Sequence, residues 1–358
     1  MSSAGRVSVS ALLMAALGAA ALPGAHAKPH EPHTERVSTT STGAQLDGPS
    51  HQGVISDDGR YVAFYTKAAE FGCRENTYTC LQVKDRATGD VTAVPGAGGF
   101  SWAPPVISGD GRHVGFTSGT KVPVPHLYDR ATGATRPVLP ASDPEASTGE
   151  MWSVSRDGGH VAYGAGSRPR PTQRLYVRSM ATGENDLVSG EADGVKEFAS
   201  LSADGGRVAY QVRTAGEDPA DVFLRNRATG ESVHVDKGLG EGRLVQLSEN
   251  GRYILFAADG GTYVRDMRTG RTRRVADVPA RSASRDVRHA VLTAAEGAGD
   301  GLTLLDLRTG RRSPVGPGRA VPGAVTAKGG AVAFTSEATD LVPDDTNGDS
   351  DIFVRHTH

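Results

Sequence analysis

Only two of the 358 residues are cysteines, Cys73 and Cys80. That is too few for a disulfide framework to hold a domain together or for a thiolate metal centre. Charge of one sign is also missing: the formal net charge is −2, which gives a nucleic-acid backbone nothing to bind and excludes nucleic acid from the expected partners. Beyond the first two dozen residues there is no apolar run of about 20 residues, so the chain is not expected to span a membrane. Aromatic residues make up 6%, and no stretch carries a helical period. What is abundant is glycine, at 46 residues, roughly twice the average share, and it sits in turns.

Residues 1–27 read as a secretory signal peptide. Arg6 supplies the positive start, the run "VSVSALLMAALGAAALPGA" is apolar, and Ala25-His26-Ala27 fits a small-x-small cleavage site. Residues 28–34 then form a flexible leader, and 35–358 a single domain secreted or held outside the cytoplasm. In that oxidising setting Cys73 and Cys80, which close the loop "CRENTYTC", are expected to form an intrachain disulfide.

The stretch "SDDGRYVAF" from Ser56 recurs as "SGDGRHVGF" from Ser108, "SRDGGHVAY" from Ser155, "SADGGRVAY" from Ser202 and "SENGRYILF" from Ser248. Altered copies follow as "SRDVRHAVL" from Ser284 and "TAKGGAVAF" from Thr326. The starts are 52, 47, 47, 46, 36 and 42 residues apart. In each copy an Asp-Gly turn precedes a segment that alternates at the strand period. A second hairpin follows, as in "LQVKDRATGDVTAV" and "VFLRNRATGESVHV", with its turn at Thr-Gly. Two hairpins per repeat make a four-stranded antiparallel sheet. A lone sheet of that size cannot cover both its faces, so the units stack radially. The fold class expected is all-β: a seven-bladed β-propeller, one blade for each of the seven starts, and monomeric.

The ends of the chain supply its closure. The last repeat stops at "DIFVRHTH" without an outer strand, while "ERVSTTS", Glu35 to Ser41, precedes the first repeat without a sheet of its own. This N-terminal segment is expected to pair antiparallel with Ile352–Arg355 as the outermost strand of the seventh blade.

The pairing of "SDDGRYVAF" with "LQVKDRATG", and of "SADGGRVAY" with "VFLRNRATG", resembles the TolB-like, WD-repeat-like β-propeller repeats over essentially everything from Glu35 onward. The resemblance implies protein docking, the gating domain of peptidases or, in some members, lyase or hydrolase chemistry. The function expected is a non-enzymatic binding scaffold for a protein, peptide or cell-envelope glycan, using the face that carries the variable loops. Those loops need 16 residues between Phe64 and Leu81 but five between Phe256 and Thr262. The alternative is a propeller enzyme, lyase or lactonase-like, centred on the channel.

Candidate ligand contacts are Trp102, Trp152 and Phe198, which stand just before the first strands of blades 2, 3 and 4. No catalytic residue is assigned. Ser101 in "GFSWA" is followed by Pro104 and Pro105, which forbid the helix a nucleophile elbow requires. His113, His160 and His289 occupy equivalent repeat positions in separate blades, and His30 and His33 lie in the leader. Asp345, Asn347, Asp349 and Asp351 alternate in "DDTNGDSD", a spacing that suits a structural Ca²⁺ or, equally, a polar turn at Asn347-Gly348.

Overall fold

The Ser-x-Asp-Gly motif builds its own turn. Ser56 Oγ donates to Asp58 Oδ1 at 2.6 Å and accepts the Tyr61 N–H at 3.0 Å, while Asp58 Oδ1 also accepts the Arg60 N–H at 2.9 Å. Gly59 takes φ 79°, a left-handed conformation that a β-carbon disfavours. The serine-to-acid bond recurs at 2.6–2.7 Å in Ser108–Asp110, Ser155–Asp157, Ser202–Asp204 and Ser284–Asp286, and Ser248 bonds Asn250 in the same way. The arginine at the turn's exit ties this hairpin to the next one, in the pairs Arg60–Asp85, Arg112–Asp129 and Arg252–Asp266.

The computed structural model describes Met1 and residues 31–71, 79–99, 103–119, 121–139, 146–167, 174–189, 194–213, 220–294 and 301–357. The signal segment, Trp102, Cys73 and His30 lie outside these residues. From Glu31 onward the described residues form six four-stranded antiparallel meanders and a seventh sheet of three strands, ordered Thr34–Arg36, Asp351–His356, Ala331–Ser336. Blade 1 runs Ser50–Ile55, Tyr61–Thr66, Thr79–Asp85, Val91–Gly99, and blade 4 runs Val195–Leu201, Arg207–Arg213, Ala220–Asn226, Ser232–His234. The seven-bladed propeller read from the repeats is the observed architecture.

Seven buried apolar clusters are present, and each joins two adjacent blades. The residue before each repeat serine (Ile55, Ile107, Val154, Leu201, Leu247, Ala283, Val325) belongs to a different one of them. The innermost strands therefore carry one apolar side chain per interface into the ring. The residue after the serine adds backbone bonds between blades: Asp57 N–H to Gly109 O, Gly109 N–H to Arg156 O, Ala203 N–H to Glu249 O, Glu249 N–H to Arg285 O and Ala327 N–H to Asp57 O, all 2.8–3.0 Å.

The side chain five residues beyond each serine lies over the turn glycine of the next blade. A β-carbon on Gly158 would come within 2.0 Å of the His113 ring, one on Gly205 within 2.5 Å of His160, one on Gly329 within 2.4 Å of His289 and one on Gly111 within 2.2 Å of Tyr61. Repetition thus accounts for the three equivalent histidines. Blade 6 breaks the rule, for Val287 holds φ 56° where the others have glycine and packs with Tyr253 in the cluster between blades 5 and 6.

The ring closes through the N-terminus. Thr34–Arg36 pairs antiparallel with Asp351–His356, with Thr34 opposite Arg355 and Arg36 opposite Phe353. The closing strand is shorter than expected and begins one residue earlier, because from Val37 the chain turns inward. The Val37 N–H bonds Ile352 O at 2.8 Å, Ser38 Oγ donates to Asp351 Oδ1 at 2.5 Å, and the Ile352 N–H returns to Ser38 Oγ at 2.9 Å. The innermost strand of blade 7 is reduced to a bridge between Val325 and Val332.

Two outcomes follow from this packing. Removing residues 28–41 loses three ladder pairs, the buried Val37 and the Ser38–Asp351 bonds, on the order of 3 kcal/mol, and should lower Tm by about 5 °C while promoting association through the bared strand; an unchanged Tm in a monomeric protein would contradict this closure. Gly158→Ala should cost about 2–4 kcal/mol from left-handed strain plus overlap with His113. The double variant with His113→Ala should recover more than about 1 kcal/mol of it in urea unfolding, whereas strict additivity would deny the ring-on-glycine contact.

Candidate functional site

Antiparallel meanders place all the Ser-x-Asp-Gly and Thr-Gly turns at one end of the propeller and the variable connections at the other. At the turn end the residue after each serine faces the axis. Four of these seven are charged, and they bond across the opening. Arg156 Nε lies 3.0 Å from Asp57 Oδ2 and 3.6 Å from Glu249 Oε2, and Arg285 Nε lies 3.0 Å from Asp57 Oδ1. The Arg285 guanidinium also donates to the carbonyls of Val154 and Ile107. Two cations and two anions from blades 1, 3, 5 and 6 therefore close the channel with no net charge. Such a lattice braces the ring and leaves no free acid or base.

Behind it the channel narrows to a cavity of about 50 Å³ lined by Trp152, Phe198, Ser153, Ser200, Gln246, Pro322 and the apolar ring. The structure brings Trp152 and Phe198 to one place, but within the innermost strands Thr148–Val154 and Val195–Leu201 rather than just before them, because those strands start earlier than the alternation suggests. Trp152 is buried in the cluster between blades 3 and 4, and Phe198 packs against that cluster and the next one. The volume holds a few waters. Gln246 Nε2 donates to Ser200 Oγ at 3.1 Å and to Leu247 O at 2.8 Å. Among the described residues lining this cavity there is neither a histidine nor a carboxylate.

In front of the lattice lies a bowl of about 1190 Å³. The turns of blades 1–4 give it Asp58, Asp110, Asp157 and Asp204, one exposed carboxylate each, and Arg86, Lys328 and His356 stand on the side of blades 7 and 1. Hydrogen bonds from the Gly159 N–H and the Ser155 hydroxyl hold Asp157 below the usual carboxylate range, and those from the Ser202 hydroxyl and the Gly206 N–H do the same for Asp204. Both are therefore anionic near neutrality. Burial pushes His113 and His160, just beneath the turns, below the ordinary imidazole value, so they add no positive charge there.

The same end carries a second depression of about 770 Å³ between blades 5 and 6, lined by Arg271, Arg273, Arg288 and Arg308 together with Asp266 and Asp286. Asp266 is already engaged by Arg252. The turn face is consequently acidic over blades 1–4 and arginine-rich over blades 5 and 6. The sequence reading places binding on the opposite, variable-loop face, and the charges of the turn end stand apart from that expectation. The available signal was the residue after each repeat serine and the run "RDMRTGRTRR".

The alternating oxygens near the C-terminus are turned toward the N-terminal segment. Gln45 Nε2 donates to Asp345 Oδ1 and to Asp351 Oδ2, each at 2.9 Å. Asn347 Nδ2 donates to Leu46 O at 2.9 Å, and Asn347 Oδ1 accepts the Asp349 N–H at 3.0 Å. Asp351 is fully buried, with Arg36 Nε at 3.6 Å. Asp345 and Asp351 thus meet at one amide, and among the described residues Asp345, Asp349 and Asp351 do not gather around a common point.

No protein-family model and no curated protein sequence matches the chain. Many solved structures share its fold. An oligogalacturonate lyase in complex with manganese aligns over 91% of this chain and 96% of its own at 15% identity and a TM-score of 0.62. The oligogalacturonate lyase of Vibrio parahaemolyticus does so over 91% and 96% at 13% identity and 0.64. TolB from Acinetobacter baumannii aligns over 74% of this chain and 62% of its own at 16% identity and 0.48. At such identities the likeness shows the fold and leaves the chemistry open. No helix among the described residues is long and apolar enough to cross a membrane.

Proposed function

We propose that this chain is an exported, non-enzymatic propeller that binds a protein or peptide on its turn face. The observation that carries the reading is the division of charge there, with four carboxylates on blades 1–4 and four arginines around the groove of blades 5 and 6. A protein surface presents both signs and can match both regions, which orients it as it docks. A uronate chain carries one sign, so it is drawn to the arginine groove and repelled by the acidic bowl and can match only one of the two regions. The crossed ion pairs behind the bowl favour binding over turnover, since they occupy the charged groups that a channel-centred reaction would use. The competing reading, cleavage of an acidic glycan, draws on the fold shared with the lyases.

Blade 5 shows how to test this without damaging the turns, because Asn250 replaces the acid there and keeps the serine bond at 2.7 Å. Asn at positions 58, 110, 157 and 204 should preserve Tm. It should weaken binding of lysine- and arginine-containing peptides about 30-fold, from four screened contacts of about 0.5 kcal/mol each, measured by fluorescence anisotropy at low salt. Equal binding by the two proteins, or turnover of oligogalacturonate by the wild type, would overturn the reading. Export carries its own test. Cys80 lies on the third strand of blade 1, opposite Thr66, and the secreted mature protein should have a mass two hydrogens below its reduced form; two alkylatable thiols in folded protein would refute the Cys73–Cys80 bridge.

A further inference from the structure

Away from both depressions, blade 4 gathers one imidazole and two carboxylates. Asp221 is the second residue of the strand Ala220–Asn226, His234 the last of the outer strand Ser232–His234, and Asp236 follows two residues later. The ladder places His234 opposite Phe223, on which its ring stacks at 4.8 Å. Strand alternation puts Asp221 on the same face as Phe223. Asp236 is brought in by its Oδ1, which accepts the Val222 N–H at 3.0 Å. His234 Nε2 then lies 3.2 Å from Asp221 Oδ1 and 3.0 Å from Asp236 Oδ1.

Two features set this cluster apart from an ordinary surface pair. The Asp236 side chain is fully buried, yet its Oδ2 has no hydrogen-bond partner. His234 Nε2 is also buried and lacks a hydrogen bond of acceptable geometry despite two oxygens within reach. A buried carboxylate left in that state costs several kcal/mol unless a cation or a proton compensates it. Gly242, the first residue of blade 5, lets the side chain sit this deep, because Asp236 Oδ2 occupies the place a β-carbon would take, 1.5 Å from where that atom would lie, and Oδ1 is left facing His234.

We propose that Asp221, His234 and Asp236 form a binding site for a divalent first-row transition-metal ion, Zn²⁺ or Mn²⁺. Ligand atoms about 2.1 Å from an ion stand about 3.0 Å apart at right angles and about 3.4 Å apart in the tetrahedral arrangement usual for zinc, and the nitrogen-to-oxygen separations of 3.0 and 3.2 Å fall in that interval. An imidazole beside two carboxylates selects such ions over Ca²⁺ and Mg²⁺. Asp221 and His234 are each about one-third exposed, with side-chain values of 37% and 31%, so water completes the coordination from the open side. The ion fastens a three-residue outer strand to its neighbour and to the connection entering blade 5. A second cluster, His33, Glu35 and His356, is a different case, because the Arg86 guanidinium lies 2.5 Å from Glu35 and 2.7 Å from His356 Nε2 and fills the cation's place.

The test uses untagged mature protein stripped with chelator and titrated calorimetrically with ZnCl₂, MnCl₂ and CaCl₂. One equivalent of Zn²⁺ or Mn²⁺ should bind and raise Tm by several degrees, and Co²⁺ should give ligand-field bands from the same site. His234→Ala should weaken binding at least 100-fold and abolish those bands, with Asp221→Asn, a more exposed change, doing so in part. His33→Ala combined with His356→Ala should leave binding intact. Absence of binding by the wild type would overturn the proposal in favour of a protonated Asp236, as would binding that survives both His234→Ala and Asp221→Asn. Binding of Ca²⁺ alone, indifferent to His234, would overturn it too and point to the loop from Asp345 to Asp351.

Discussion

A four-stranded sheet of alternating residues has two apolar faces and no means of covering either, and every other feature of this chain answers that constraint. The seven clusters are all shared between neighbours, so no blade owns a core. Stability is then a property of the closed ring, because an arc of seven blades would leave two faces and two strand edges in water. Closure falls on three residues, Thr34–Arg36, and on the buried Ser38–Asp351 contact behind them. Few bonds carry the joint, but it also covers the last apolar face, where Val37 and Leu46 pack with Ile55, Phe64 and Ile352.

The same need for contact between neighbours explains why one position in each repeat is so restricted. The turn glycine must adopt positive φ and must also receive the side chain reaching over from the preceding blade. Tyr61, His113, His160, His289 and the stem of Arg207 fill the same place, since what matters is side-chain volume over a missing β-carbon. Val287 shows the same contact made from the other side. A branched side chain in the left-handed region is strained, yet its burial beside Tyr253 offsets part of that strain by filling the gap a glycine would leave.

Much of this was legible in the residues. Repeat starts gave the blade count, and the mismatch between an incomplete last repeat and an unpaired first segment gave the closure, because both rest on strand pairing that local alternation encodes. The length of the closing strand was not legible. It ends at Arg36 because Ser38 is drawn to Asp351, a contact across 313 residues. The channel lattice was hidden for a similar reason. Asp57, Arg156, Glu249 and Arg285 occupy the most variable position of the motif, and variability there reads as drift until the ring brings blades 1, 3, 5 and 6 face to face. Asp221, His234 and Asp236 escaped notice because they belong to no repeat position shared with the other blades.

Closing the channel has a consequence for where recognition can occur. Once the axis is filled by balanced charges and an apolar ring, the remaining recognition surfaces are the ends and the flanks. Along the turn end the chain's small net charge is unevenly spread. The serine motif requires an acid or its amide two residues on, which by itself makes a ring of carboxylates, and blade 5 uses the amide while blade 7 has Lys328. The turn architecture therefore generates the acidic arc as a by-product of folding, and departures from the motif in blades 5 and 7, with the arginines of the outer hairpins, cut the ring into two electrical halves. A structural repeat becomes a recognition surface where its symmetry is broken, and on this face the breaks fall together on one side.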